Sequence, residues 1–226
     1  MPACKPLKPG QVALVANMFC GVFKNRNKAL FLIACTTGFR AAELLSLTRA
    51  DVMTSSGHLQ DEITVKRSNM KGKKRSRSCR IHPCTAPVLI DWLRDQEQMG
   101  FDTPGIALWS KSNGGPISYH AYWKLLKNAF VAAGITQRGY ATHTCRKTFA
   151  AEALKYLNAK FQSGEISASD PVSLICKLLG HADVRATMHY VESIQSEADA
   201  VLSQIGSDWG LDDLNQGEPQ NTQLEA

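Results

Sequence analysis

Four groups of side chains in this chain are suited to work on a phosphodiester. Arg40 follows the break at Gly38 and opens a helical pattern, where a guanidinium can point into a cleft. Its fixed fork of N–H donors fits a pair of phosphate oxygens better than an ammonium does. His143 and Arg146 are three apart, on one helix face a turn from each other, so one helix can aim both at one phosphate. Thr142 is expected to cap that helix and to direct its N-terminus at the same anion. From Lys66 to Arg80 there are eight Lys or Arg in fifteen residues, and their mutual repulsion calls for solvent or a bound polyanion. DNA backbone is the economical partner, with Lys66, Arg67, Lys73, Lys74, Arg75 and Arg77 as its contacts. Last, Gly180 ends one helix, His181 sits in the turn, and Tyr190 rides the next. Cutting DNA by a protein nucleophile needs that nucleophile, positive charge on the nonbridging oxygens, donors for the transition state and an acid for the leaving 5′-hydroxyl. These groups offer all four.

Each has a plainer explanation when taken singly. Arg40 can lie on a solvated helix face, the basic run can be solvated, and His143 with Arg146 can form an exposed polar face. A lone tyrosine is more often a core or interface aromatic. His189 precedes Tyr190, but adjacent helical residues point about 100° apart, so it reads as structural.

The elements that must position these residues are mainly helical. Apolar periodicity predicts helices over about Gln11–Phe23, Lys28–Thr36 and Arg40–Leu47, with Asp51 just past the third. Two short alternating segments, 63–65 and 79–81, read as an antiparallel β-hairpin around the basic loop. Helices return from Pro87 to Met99, from the N-cap Ser118 to Ala133 with Gly134 as the stop, and from His143 to Asn158. A polar loop over 162–169 precedes Asp170-Pro171, which caps a helix ending at Gly180. Two further helices are expected over 184–191 and 194–205. The fold class is therefore α+β, mainly α with one small antiparallel hairpin sheet. The organisation is a short arm over 1–9, one domain over 10–206, and an acidic tail over 207–226 that is expected to be disordered.

At 226 residues and 44% hydrophobic content the chain can bury a proper core. Its net charge of +6 favours a polyanionic partner. Seven scattered cysteines read as reduced thiols. Cys79, His82 and Cys84 cluster, but no second group supplies the remaining ligands, so no metal site is expected. There is no signal-peptide pattern and no apolar run of membrane-spanning length, which points to a soluble, cytoplasmic protein.

The segment Thr37-Gly38-Phe39-Arg40-Ala41-Ala42-Glu43-Leu44 resembles the first box of the tyrosine recombinases of the phage-integrase type, Thr-Gly-x-Arg-x-x-Glu-Leu, with Glu43 and Asp51 at the positions that brace the fold. His143-Thr144-Cys145-Arg146 resembles the family's His-x-x-Arg box, although Lys147 stands where a histidine is frequent. Leu179-Gly180-His181, with Tyr190 nine residues after the histidine, resembles the box that carries the nucleophile. The resemblance covers residues 10 to 206. It implies the catalytic-domain fold of that family and a site-specific recombinase, bacterial or phage-encoded, that cleaves and rejoins double-stranded DNA for integration, excision or inversion. The implied catalytic residues are Arg40, Lys71, His143, Arg146, His181 and the nucleophile Tyr190, through a 3′-phosphotyrosyl bond and without metal or nucleotide cofactor. A lysine in the hairpin protonates the leaving 5′-oxygen in that family; Lys71, before Gly72, is the match, with Lys73 and Lys74 as alternatives. A homotetramer on DNA is implied, with an accessory protein as a further partner and no membrane. The chain departs from the family in spacing, since Arg146 and His181 are 35 residues apart, with 155–169 as the expected insertion in a polar loop. It also begins close to the catalytic domain, so the N-terminal clamp of most relatives is expected to be missing. Two other functions fit the same residues: a DNA-binding regulator that keeps the fold without turnover, and a relaxase resembling the type IB topoisomerases.

Overall fold

Helix α2, Lys24–Thr37, opens on a polar turn and then runs apolar from Ala29 to Cys35, and such a stretch belongs in the interior. Ala29, Leu30, Phe31, Ile33 and Ala34 are all buried. In the computed structural model, which describes residues 4–70, 76–165 and 171–180, α2 is the post around which the other elements assemble. Helices α4 (Ala86–Gln98) and α6 (His143–Gln162) pack along it, and α1 (Gln11–Ala16) and α3 (Ala41–Leu45) lie against its two ends. Helix α5, Tyr119–Ala132, packs on α1 and α3. Helix α7, Pro171–Leu179, packs on α6 through a small second core of Ala150, Leu154, Ile175 and Leu179.

The hairpin pairs β1 (Glu62–Val65) with β2 (Arg77–Arg80) antiparallel, in the register Glu62 to Arg80 and Val65 to Arg77. Ile63 and Val65 face the core, while the hydroxyls of Thr64 and Ser78 meet at 2.7 Å on the other face. The helix-rich fold with one small antiparallel sheet is thus as the sequence predicts.

Several boundaries differ for identifiable reasons. The helix expected over Gln11–Phe23 stops at Ala16, and the chain turns through Gly21 at φ 79°. Phe19 and Phe23 still pack on the core from that turn, the Phe19 ring tilted against Phe31 at 5.7 Å between centroids, so their apolar spacing imitates a helix. The second helix begins at Lys24 rather than Lys28, the second strand at Arg77 rather than Cys79, and α6 runs through Gln162 rather than Asn158. The expected insertion is therefore helical over its first half, not a polar loop throughout. The helices expected over 184–191 and 194–205, the capping Asp170 and the tail lie outside the described residues. Among the described residues, no helix is long and apolar enough to cross a membrane.

Buried arginines fasten these elements to one another through backbone carbonyls. Arg26 of α2 donates to Ser110 O at 2.9 Å, with its guanidinium over the Phe23 ring, and burial lowers its pKa to about 10. Arg49 donates to Leu93 O of α4 at 3.0 Å and pairs with Glu97. Trp109 Nε1 donates to Leu44 O at 2.8 Å and so holds α3 from behind.

Candidate active site

The site is organised by the turn Thr37-Gly38-Phe39 that ends α2. Gly38 takes a left-handed conformation, φ 60°, and a Cβ there would lie 2.5 Å from Phe149 Cδ1. Glycine is needed on both counts. Thr37 Oγ1 donates back to Ile33 O at 2.7 Å and accepts from Phe39 N at 3.3 Å, which closes the turn. The two carbonyls left facing inward are each taken by an arginine. Thr37 O accepts from Arg77 Nη2 at 2.5 Å, and Gly38 O accepts from Arg146 Nη1.

Arg40 occupies the N-cap position of α3 in extended conformation. Glu43, one turn on and 1% exposed, accepts the Arg40 backbone N–H through Oε2 at 2.9 Å and the side-chain Nη1 through Oε1 at 2.7 Å. The carboxylate thereby satisfies an N-terminal donor of the helix and aims the guanidinium, whose side chain stays 25% exposed. Asp51 braces the next turn, accepting from Thr48 N and Thr48 Oγ1 at 2.8 Å each, and pairs with Lys66 at 3.4 Å. Both acidic residues thus hold the segment as the sequence leads one to expect.

His143 and Arg146 lie on the first turn of α6. Arg146 is buried, and its Nη2 donates to Leu179 O at 2.9 Å as Nη1 donates to Gly38 O, so it ties the last turn of α7 to the end of α2. His143 remains exposed at its edge. Partial burial, then the charges of Arg146, Arg40 and Lys147, lower its pKa. It is therefore a neutral imidazole near neutral pH, able to accept one proton and donate another. The cap at this end differs from expectation: Thr142 does not cap with its side chain, and its Oγ1 meets Tyr119 Oη at 2.7 Å. Tyr119 thus fixes the residue before His143, a contact between α5 and α6 that no local motif announces.

Lys66 and Arg67 are exposed at the base of the hairpin loop. Arg77 is not with them. The strand begins two residues earlier than the sequence suggests, and the pairing with Val65 turns Arg77 inward, where it is 8% exposed with Cζ 4.7 Å over the Phe39 ring. That corrects its place among the loop's solvated cations. Alternation along β2 would have signalled this once the register was known. Gly180 closes α7 at φ 63°, as expected, and a Cβ on it would lie 3.0 Å from Arg77 Cδ. Lys71, Lys73, Lys74, Arg75, His181 and Tyr190 lie outside the described residues. Arg40, His143 and Arg146 are therefore the sequence-expected catalytic residues that the described structure brings together. A partly exposed guanidinium, a buried second one and a neutral imidazole can hold nonbridging phosphate oxygens and move a proton beside them.

Comparison with known proteins shows the family and the fold. The family model described as Phage integrase family matches residues 11–197. The chain is 28% identical over 173 residues to the tyrosine recombinase XerD of Chlorobaculum tepidum, an alignment covering 74% of this chain and 49% of the relative. It is 27% identical to the XerD of Mycobacterium leprae, over 73% of this chain and 47% of that one. The chain thus spans about half the length of the curated relatives it matches. In fold it is similar to the XerH site-specific recombinase bound to palindromic difH substrate in a post-cleavage complex, with TM-score 0.64 at 19% identity over 88% of this chain and 52% of that one. It is also similar to the XerA recombinase, with TM-score 0.65 at 19% identity over 84% and 61%, and to the Tn1549 transposon integrase in complex with transposon right end DNA, with TM-score 0.63 at 15% identity over 89% and 67%.

Proposed function

The chain belongs to the phage integrase family, and from that premise we propose that it is a site-specific recombinase whose Tyr190 attacks a DNA phosphodiester. The tyrosine oxygen bonds to phosphorus, the bond to the 5′-oxygen breaks, and a 3′-phosphotyrosyl link and a free 5′-hydroxyl result. Attack by the 5′-hydroxyl of a partner strand reverses the step, so bond energy is conserved without an external cofactor. Arg40 and Arg146 hold the nonbridging oxygens. His143 donates to the developing charge, and His181 takes the tyrosine proton. Lys71, or Lys73 or Lys74 beside it, protonates the leaving oxygen. A homotetramer on DNA brings the partner strands together.

One observation carries this reading: Arg40 and Arg146, 106 positions apart in the chain, meet at a single glycine turn, Arg146 bonded to Gly38 O and Arg40 two residues past that glycine, and after burial their charges lower the pKa of His143. Solvated surface cations have no reason to converge in this way. The test is covalent capture. A duplex selected by the protein from a randomised pool is nicked beside the cleavage position, so that the released strand end diffuses away and the adduct persists. The wild-type protein is expected to form a protease-sensitive adduct with the labelled 3′ side, and Tyr190→Phe none. DNA binding without an adduct would instead mark a regulator. An adduct with relaxation of supercoils but no two-site product would mark a relaxase.

A further inference from the structure

Arg77 has more donors than the protein uses. Its Nη2 is engaged at Thr37 O, but Nε and Nη1 are buried and make no hydrogen bond among the described residues. A buried guanidinium with two idle nitrogens is worse placed than a neutral side chain of similar volume, so packing on Phe39 does not account for an arginine here. Burial, then the charge of Arg146, lowers its pKa to about 10, and it is still a cation near neutral pH.

Nη1 stands 3.8 Å from Glu43 Oε2, an ion-pair distance just beyond a hydrogen bond. Of the carboxylate oxygens, Oε1 accepts from the Arg40 guanidinium and Oε2 from the Arg40 backbone N–H. Two arginines therefore flank one buried carboxylate, and the one that holds it is the one that solvent can reach, with side-chain exposures of 25% for Arg40 and 7% for Arg77. When the Arg40 guanidinium turns fully onto a phosphate, the bond from Nη1 to Oε1 is given up, and a buried carboxylate that keeps only a backbone N–H and loses its charged partner is disfavoured. Unrelieved, that penalty would hold Arg40 back from DNA.

We propose that Arg77 is a positioning residue that takes over Glu43 when Arg40 moves to the scissile phosphate. Closing the Nη1–Oε2 gap by about an ångström turns a loose ion pair into a charge-assisted hydrogen bond. The carboxylate keeps a charged donor throughout, and the outer arginine is free for substrate. Arg77 touches no reacting atom; it acts through Glu43 and Arg40. The inference rests on the strand-cleavage reading and names a residue which that reading requires.

The experiment uses the whole protein and the nicked duplex described above, and follows the first-order rate of adduct formation at saturating DNA together with the affinity for intact duplex. Arg77→Met is expected to slow adduct formation by about 10- to 100-fold while affinity changes by less than about threefold, a split that general damage to the fold would not give. Neutralising the carboxylate removes the need for a second cation. Glu43→Gln combined with Arg77→Met is therefore expected to react within about threefold of Glu43→Gln alone. Should Arg77→Met not fold, Arg77→Lys carries the same comparison, with slowing relieved by Glu43→Gln. A wild-type rate in the Arg77 variant, an unrelieved defect in the double variant, or no cleavage by Glu43→Gln alone each overturns the proposal. Absence of an adduct from the wild-type protein instead overturns the cleavage reading, and this inference with it.

Discussion

The imidazole of His143 is held neutral by its surroundings, and the direction of that shift has a thermodynamic counterpart. Its folded pKa lies below the ordinary value, the result of burial first and of Arg146, Arg40 and Lys147 after it. As pH falls below about 6.5, the unfolded chain takes up the proton before the folded one does. The contribution is thus fully present above that value and is lost as pH drops through the folded pKa. Between about pH 7.5 and about pH 5.5, the unfolding midpoint of the wild-type protein is expected to fall further than that of His143→Gln. Parallel curves for the two proteins would rule the shift out. The same neighbours explain why the histidine suits a phosphate site: it lends a donor without adding a proton-dependent charge of its own.

At the scale of elements, the turn between α2 and α3 holds the site together. Gly38→Ala would place a methyl on the Phe149 ring and force a left-handed residue. We expect a loss of about 2–4 kcal/mol from strain and overpacking combined, seen as a midpoint roughly 5–15 °C lower. Adduct formation should fall in the folded fraction too, since Gly38 O anchors Arg146; a variant as stable and as active as wild type would refute the role of the turn. How far the sequence discloses such features depends on whether they are local. Gly38, Arg40 and Glu43 sit at fixed offsets in one helix start, and the resemblance of that short segment to a family box is enough to mark Glu43 as a brace. Ser118 as the cap of α5 is equally local, its Oγ accepting from Ala121 N at 3.1 Å. Arg77 is not readable in this way, because its facing depends on pairing with Val65 across a loop whose length fixes the register. Thr142 is similar: the residue is correctly placed at the start of α6, but its hydroxyl answers to Tyr119 from another helix. The spacing of His143 and Arg146 shows a shared face, yet not that Arg146 ends on carbonyls of two other elements.

For the whole molecule, a net charge of +6 sets the terms of any encounter with DNA. Each cation seated on a phosphate contributes about one unit to the slope of log affinity against log salt. The double variant Lys66→Ala, Arg67→Ala is expected to flatten that slope by about two units and to weaken all sequences alike; an unchanged slope would remove these two side chains from the interface. Among the buried arginines, Arg26 and Arg49 have a different role, since they bind the protein's own carbonyls rather than a polyanion. The geometry of the site also bears on when it comes into being during synthesis. The bond from Arg146 to Gly38 spans 108 positions, and Leu7 N reaches Thr148 Oγ1 across 141. A nascent chain has therefore made Arg40, Glu43 and Arg77 long before it can fasten the turn that orients them. Contacts of such long range form slowly and late. The proposed cleavage centre is consequently among the last features to be completed, and a partly made chain holds its candidate phosphate-binding residues without the means to align them.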